Sequence, residues 1–273
     1  MSEIRCEICP HHCLIPEGKT GRCRARRNRD GVNVPANYGK LTGIAVDPVE
    51  KKPLKHFYPG AKILSVGSFG CNLSCPFCQN HPISMHGENE VRTVEYSPQE
   101  LAELACRIPD NLGIAFTYNE PLISWEYLIE TAELVKKEEK KIVAVTNGCV
   151  EPGTLEKILP YTDAMNIDLK GDEVFYRELG GDYETVRNTI REAAKSCHVE
   201  VTTLVVPGKN DSTDWIETQA EWLSEVNPEI VLHLSRYFPN YRYTIPPTEK
   251  EKLYEMKAAA EKHLKYVYLG NVW

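Results

Sequence analysis

Three cysteines, Cys71, Cys75 and Cys78, form a CxxxCxxC array inside KILSVGSFGCNLSCPFCQNHP, residues 62–82. A closed tetrahedral metal site takes four protein ligands, whereas three thiolates suit a cubane of four irons in which one iron stays open. The spacing therefore predicts a 4Fe-4S cluster with an open iron. A zinc knuckle completed by His81 or His86 is the alternative reading. A second array, Cys6, Cys9, Cys13 and Cys23, places four thiolates near the N-terminus. It can close around zinc or hold an auxiliary iron–sulfur cluster, and spacing does not separate the two. So little apolar sequence surrounds these four cysteines that the fold of the segment is expected to depend on its metal.

The elements that must position these thiolates alternate from residue 62 onward. Short apolar runs near 62–69, 112–117, 141–146, 163–168, 198–206 and 230–235 predict strands. Helical patterns near 98–107, 121–139, 153–159, 184–196, 214–225 and 247–263 follow them, with start signals at Ser97-Pro98 and Ser212 to Asp214. Six strand–helix repeats predict an α/β fold, a partial (β/α)6 TIM-type barrel of parallel strands, with KYVYL near 265–269 completing or flanking it. The expected organisation is a four-Cys metal-binding segment over 1–30, short strands and an extended connection over 31–61, and the barrel over 62–273. Chemistry on such a barrel sits at the carboxyl ends of its strands. Those ends carry Asn119 and Glu120, Asn147, Asp168 and Lys170, Val206, and then His233, Ser235 and Arg236. The last three are expected to face substrate.

The cluster loop resembles that of the radical S-adenosylmethionine (SAM) superfamily. The resemblance implies that SAM chelates the open iron and that one electron splits its sulfonium, giving a 5′-deoxyadenosyl radical. It also implies that Phe77 lies near the adenine and that Glu120 receives the SAM ammonium group, with Tyr118 and Asn119 where relatives have glycines. TNG and DLK after the third and fourth strands resemble the pyruvate formate-lyase activating enzyme branch. By that likeness Lys170 pairs with the SAM carboxylate, Asn147 and Asp168 lie near ribose and carboxylate, and Val206 walls the adenine. Val145 stands where that branch has an aspartate that helps hold a monovalent cation. CPHHC, DPVEKKPLKHF, CNLSCPFCQN, TYNEP, VTNG, IDLK, HLSRYFP and YVYLGNV together resemble the radical SAM component of AmmeMemoRadiSam systems. This implies Memo-type and AMMECR-type partner proteins, and an electron donor such as flavodoxin or ferredoxin.

A net charge of −7 and a pI near 5.7 argue against nucleic-acid binding, which asks for a basic face. The local exception, Arg22, Arg24, Arg26, Arg27 and Arg29, is expected to be a solvated loop. No apolar run is long enough for a membrane span or a signal peptide, and cysteines clustered for metal fit a reducing compartment, so a cytoplasmic protein is expected. Cys106, Cys149 and Cys197 are read as small buried apolar residues. The sequence thus predicts a radical SAM enzyme that abstracts hydrogen from a peptide, protein or small molecule. A glycyl-radical enzyme activase and a non-catalytic metal-binding interaction scaffold are the alternatives.

Overall fold

Seven apolar runs lie side by side and point the same way. The computed structural model describes residues 3–272; Met1, Ser2 and Trp273, at the limits of the expected segments, lie outside the described residues. The main sheet contains β1 (Gly43–Pro48), β2 (Lys62–Gly67), β3 (Asn111–Phe116), β4 (Lys141–Thr146), β5 (Ala164–Asp168), β6 (His198–Val205), β7 (Val231–Arg236) and β8 (Tyr266–Gly270). Spatial order follows chain order; β2 to β8 are parallel, and β1 runs antiparallel along β2.

Parallel neighbours need crossovers, and helices supply them. These are α1 (Pro98–Arg107), α2 (Trp125–Val135), α3 (Pro152–Ile158), α4 (Glu173–Leu179), α5 (Tyr183–Ala193), α6 (Thr213–Val226) and α7 (Lys250–Ala260). The α/β partial barrel of six strand–helix repeats is therefore the fold, with β8 flanking it as an edge strand. Ser97 caps α1 by accepting the Glu100 N–H at 3.2 Å, while the Glu100 carboxylate accepts the Ser97 N–H at 2.8 Å. Ser212 caps α6 in the same way through the Trp215 N–H. The helix expected over 121–139 is shorter, because Pro121–Ser124 winds as a tighter 3-10 turn before α2 begins. Helix α4 escaped the sequence reading; its start is Asp172, whose carboxylate accepts the Phe175 N–H at 2.8 Å.

Strand alternation divides the sheet into two faces. Leu64, Ile114, Ile142, Met165 and Val201 face the helices in the largest core. Ile63, Ala115, Val143 and Ala164 face the other way and meet Val49, Leu54 and Phe57. Residues 49–57 thus fold under the sheet and fill the amino-terminal half of its inner face. The carboxyl-terminal half is left for the site.

Residues before β1 form antiparallel hairpins, Glu3–Arg5 with Leu14–Pro16 and Arg26–Arg29 with Val32–Pro35. The arginine run is not simply a solvated loop. Arg26 is 2% exposed, binds Glu126 and the Ile123 carbonyl, and reaches Asn33, while Arg27 pairs with Glu88 at 2.8 Å. The hairpin alternation turns Arg26 inward against α2, where a buried cation requires such partners. Of the three isolated cysteines, Cys149 is buried as expected and Cys197 is half-buried, but Cys106 lies on the outer side of α1 and is exposed. Among the described residues no helix is long and apolar enough to cross a membrane.

Candidate active site

The carboxyl ends of β2 to β8 converge on one cavity of about 250 Å³. Its lining includes Cys71, Cys75, Phe77 and Cys78 after β2, Tyr118, Asn119 and Glu120 after β3, and Thr146 and Asn147 at the end of β4. Asp168 at the end of β5, Lys170 just after it, Leu204 from β6, Ser235 from β7 and Asn271 after β8 also line it. Loops spread from Cys71 to Asn271 in sequence meet here because parallel strands deliver all their ends to one rim.

The three thiols stand in one electrostatic environment. Burial pushes Cys71 well above the usual thiol range, with the Glu120 charge adding to it; burial lifts Cys75 to about 11 and also raises Cys78. Left as thiolates, these groups repel one another. The Leu73 N–H and Asn147 Nδ2 nevertheless donate to Cys71 Sγ at 3.4 and 3.5 Å. Donors aimed at sulfur suit a thiolate neutralised by metal. The three thiols stand at the rim of a cavity with room for a further ligand, which fits the demands of a cluster body. His81 and His86, weighed as a fourth ligand, direct ring nitrogens at the Cys78 and His81 carbonyls instead.

Glu120 is fully buried, and every group that bonds it is neutral. Its carboxylate accepts the Thr146 hydroxyl at 2.6 Å and the N–H groups of Asn147 and Leu122 at 2.8 and 3.0 Å. Burial outweighs these bonds and raises it from the ordinary 4.5 to about 7. Its contact with Leu122 caps the 3-10 turn, so the capping role and the cavity-facing role coexist in one side chain. Lys170 binds Asp168 at 2.8 Å. Burial alone would lower the ammonium, but Asp168 and Cys75 outweigh it and hold Lys170 charged.

The remaining expected residues divide. Asn147 is fixed by donating to Cys71 and Asn72 and by accepting the Cys149 N–H. Asn119 accepts the Ser68 N–H and donates to the Phe69 and Gly70 carbonyls, which ties down the entry to the cluster loop. Phe77 packs on Phe175 and Tyr243 at the cavity edge. Ser235 reaches the cavity and accepts from Asn271 Nδ2 at 3.1 Å.

Three residues lie elsewhere. Val206 is buried in the helix-side core, and Leu204 forms the apolar wall; the turn after β6 rotates Val206 away. Arg236 alternates with Ser235 onto the other face, where its Nε donates to the Thr248 carbonyl at 2.7 Å. His233 does lie on the inner face, but at the floor, where its Nε2 meets Glu200 at 2.6 Å. Sequence reasoning missed Gln79, Asn80 and Asn271 as lining residues; the first two follow the last cysteine directly and Asn271 follows the closing strand, which were the available signals.

Tyr118 adopts φ +72°, the left-handed conformation that favours glycine. Its ring fills the space over Gly67, where a Cβ would stand 2.6 Å from Tyr118 Cδ2. Its hydroxyl donates to Asp47 at 3.0 Å, and Lys52 binds the same carboxylate at 3.0 Å.

Comparison with known proteins places the chain in a family. The family model of the radical SAM superfamily matches residues 65–218. The chain is 42% identical to an uncharacterised protein of Methanocaldococcus jannaschii, over 99% of this chain and 82% of that one. It is 24% identical, over 79% of this chain and 91% of the other, to a protein of the same organism provisionally named a glycyl-radical enzyme activating enzyme. Its fold is similar to a domain of pyruvate-formate lyase-activating enzyme from Bacteroides vulgatus, with TM-score 0.51 and 18% identity over 57% of this chain and 98% of that one. The matched segment includes Cys71, Cys75 and Cys78 with Glu120, Asp168 and Lys170 at the strand ends, and the chain belongs to the radical SAM superfamily of enzymes.

Proposed function

We propose that this enzyme reductively cleaves SAM at a 4Fe-4S cluster held by Cys71, Cys75 and Cys78, and that the cleavage drives hydrogen abstraction from a peptide, protein or small molecule. When bound, the cluster supplies one electron and an open iron for SAM. The observation that carries this reading is Glu120: a fully buried carboxylate with only neutral partners, on the cavity shared by the three thiols. An ammonium group is the ligand chemistry that such a carboxylate lacks. Lys170 can exchange Asp168 for a ligand carboxylate on the same rim. Asn147 holds Cys71, Phe77 and Leu204 supply apolar walls, and the strands beneath keep water from the reacting atoms.

The quoted motifs support membership of an AmmeMemoRadiSam system, with Memo-type and AMMECR-type proteins as partners and a flavodoxin or ferredoxin as reductant. A second reading, activation of a glycyl-radical enzyme, is favoured by the name of the relative that shares 24% identity. Its sign is a persistent doublet in the electron paramagnetic resonance spectrum of a partner protein. Cys6, Cys9, Cys13 and Cys23 are proposed to bind zinc or an auxiliary cluster, and cysteines clustered for metal in this way fit a cytoplasmic location.

Anaerobic iron, sulfide and zinc quantification on the reconstituted protein tests the reading, joined to an assay for 5′-deoxyadenosine with dithionite. About four irons with one zinc, or about eight irons without zinc, is expected together with 5′-deoxyadenosine. Reducible iron without SAM cleavage contradicts the proposal and favours the scaffold.

A further inference from the structure

Both residues that flank Cys71 are held by the N-terminal cysteine array. On one side lies Gly70, at φ +84°. A Cβ there would stand 2.4 Å from the Cys23 carbonyl oxygen and 3.0 Å from Ala25 Cβ. The turn carrying Cys23 therefore packs directly on the backbone that enters the cluster loop, at a spacing only glycine permits. On the other side lies Asn72, fully buried, whose carbonyl oxygen is 2.8 Å from His11 Nε2. A carbonyl can only accept, so this nitrogen carries the proton. His11 sits between Cys9 and Cys13.

The contact continues to the sulfur. Asn72 Nδ2 donates to the Cys149 carbonyl at 2.7 Å, and its Oδ1 accepts from Asn147 Nδ2 at 2.9 Å. The same Asn147 nitrogen reaches Cys71 Sγ at 3.5 Å. A third tie, the Glu151 N–H to the Ile8 carbonyl at 3.0 Å, fastens the array to the loop after β4.

The array gathers its four cysteines with backbone donors to two of the sulfurs. Cys6, Cys9 and Cys23 are buried, Cys23 Sγ accepts the Arg26 N–H at 3.3 Å, and Cys13 Sγ accepts the Arg22 N–H at 3.4 Å. Its own apolar cluster is small, with Cys6, Ile8 and Ile15 at the centre. Such a segment takes its order from the metal it binds, and with that order goes the placement of His11 and of the Cys23 turn.

The geometry points to a coupled pair of centres: metal bound by Cys6, Cys9, Cys13 and Cys23 sets the surroundings of the cluster at Cys71, with His11 and Asn72 as positioning residues. This rests on the four-iron reading of Cys71, Cys75 and Cys78. Hydrogen bonds to cluster sulfurs and second-shell contacts tune reduction potential. Loss of the His11 anchor loosens Asn72, withdraws Asn147 from Cys71 Sγ, and disfavours the more negatively charged reduced cluster.

The test is a redox titration of the reconstituted protein, followed by electron paramagnetic resonance, with iron, sulfide and zinc counted on every sample. His11→Ala is expected to lower the reduced-to-oxidised ratio of the Cys71 cluster several-fold at fixed poise, with four irons retained there. His11→Gln, which restores an N–H donor, should return the ratio toward that of the unaltered protein. An unchanged ratio in His11→Ala at full iron loading overturns the coupling and leaves the four-iron reading intact. Failure of the unaltered protein to assemble a cluster at Cys71 defeats the underlying reading instead. Should His11→Ala not hold iron, amide hydrogen exchange of residues 70–78 is compared in unaltered protein before and after chelation of the N-terminal metal. Faster exchange supports the coupling, and equal protection overturns it. The metal count also distinguishes zinc from an auxiliary cluster at the array.

Discussion

The inner face of the sheet holds two buried glutamates, one at each end, and they titrate in opposite directions. At the floor, Glu200 accepts the N–H groups of Lys55 and His56 at 2.9 and 2.7 Å, and binds His198 Nε2 and His233 Nε2 at 2.9 and 2.6 Å. Burial alone would raise it, but these four partners together hold it near 2. At the mouth, Glu120 has three neutral partners and rises to about 7. Volume does not tell the ends apart, since a cavity of about 260 Å³ opens beside His198 at the floor and one of about 250 Å³ at the mouth. What differs is satisfaction. A buried carboxylate with all its partners supplied by the chain is structural, and one still short of a cation marks a place for a ligand.

The largest effect expected from breaking this contrast is at the mouth. Cys71→Ala should reduce 5′-deoxyadenosine release from SAM to background, because the cluster loses a ligand; undiminished release would show that the cluster lies elsewhere. Glu120→Gln keeps the shape and the cap, yet should cost about 10- to 100-fold in SAM cleavage, in line with losses of outer-shell partners.

At the floor the expected loss is of stability. Glu200→Gln should destabilise the protein by about 2–4 kcal/mol in denaturant titrations at neutral pH, since two histidines and two N–H groups lose a charged acceptor. The pH dependence has a definite sign. Glu200 is depressed from 4.5 to about 2 on folding, so its contribution is present above pH 4.5 and is lost as pH falls toward 2. The variant should flatten that acid limb, and an unchanged limb would assign the stabilisation to other groups.

A smaller effect sharpens the contrast from the other side. Glu120 is raised, so the ligand-free protein binds a proton there that the unfolded chain releases above pH 4.5; its contribution to stability declines as pH rises from 4.5 toward 7. A cation bound at the mouth lowers Glu120 and expels that proton. Calorimetry of SAM binding near pH 6.5, in buffers of different ionisation enthalpy, should report a fractional proton release that is absent in Glu120→Gln.

Much of this was legible in the sequence, for physical reasons. The strands of the barrel are short apolar runs and the helices have their own caps, so local signals placed both within a few residues. Ser97 and Ser212 announced α1 and α6, whereas α4 is only seven residues long and Asp172 alone opens it. Cys71, Cys75, Cys78 and Glu120, which the fold brings to one cavity, could be singled out because metal chemistry and strand-end position constrain residue type directly. Side-chain direction beyond a strand end was not legible. Arg236 and Val206 point away from the mouth because one residue of alternation, or one turn, reverses a face. The role of DPVEKKPLKHF also needed the fold: its backbone N–H groups at Lys55 and His56 meet a glutamate some 145 residues later, which no local pattern encodes.

The contrast between the two glutamates is tested most directly by one assay, 5′-deoxyadenosine release from SAM with dithionite, run on Glu120→Gln and Glu200→Gln at equal iron loading and below the unfolding temperature of either. The expected result is a large loss for Glu120→Gln and a rate near that of the unaltered enzyme for Glu200→Gln. Equal rates in the two variants, whether both retained or both lost, would contradict the assignment of the mouth to SAM and the floor to structure.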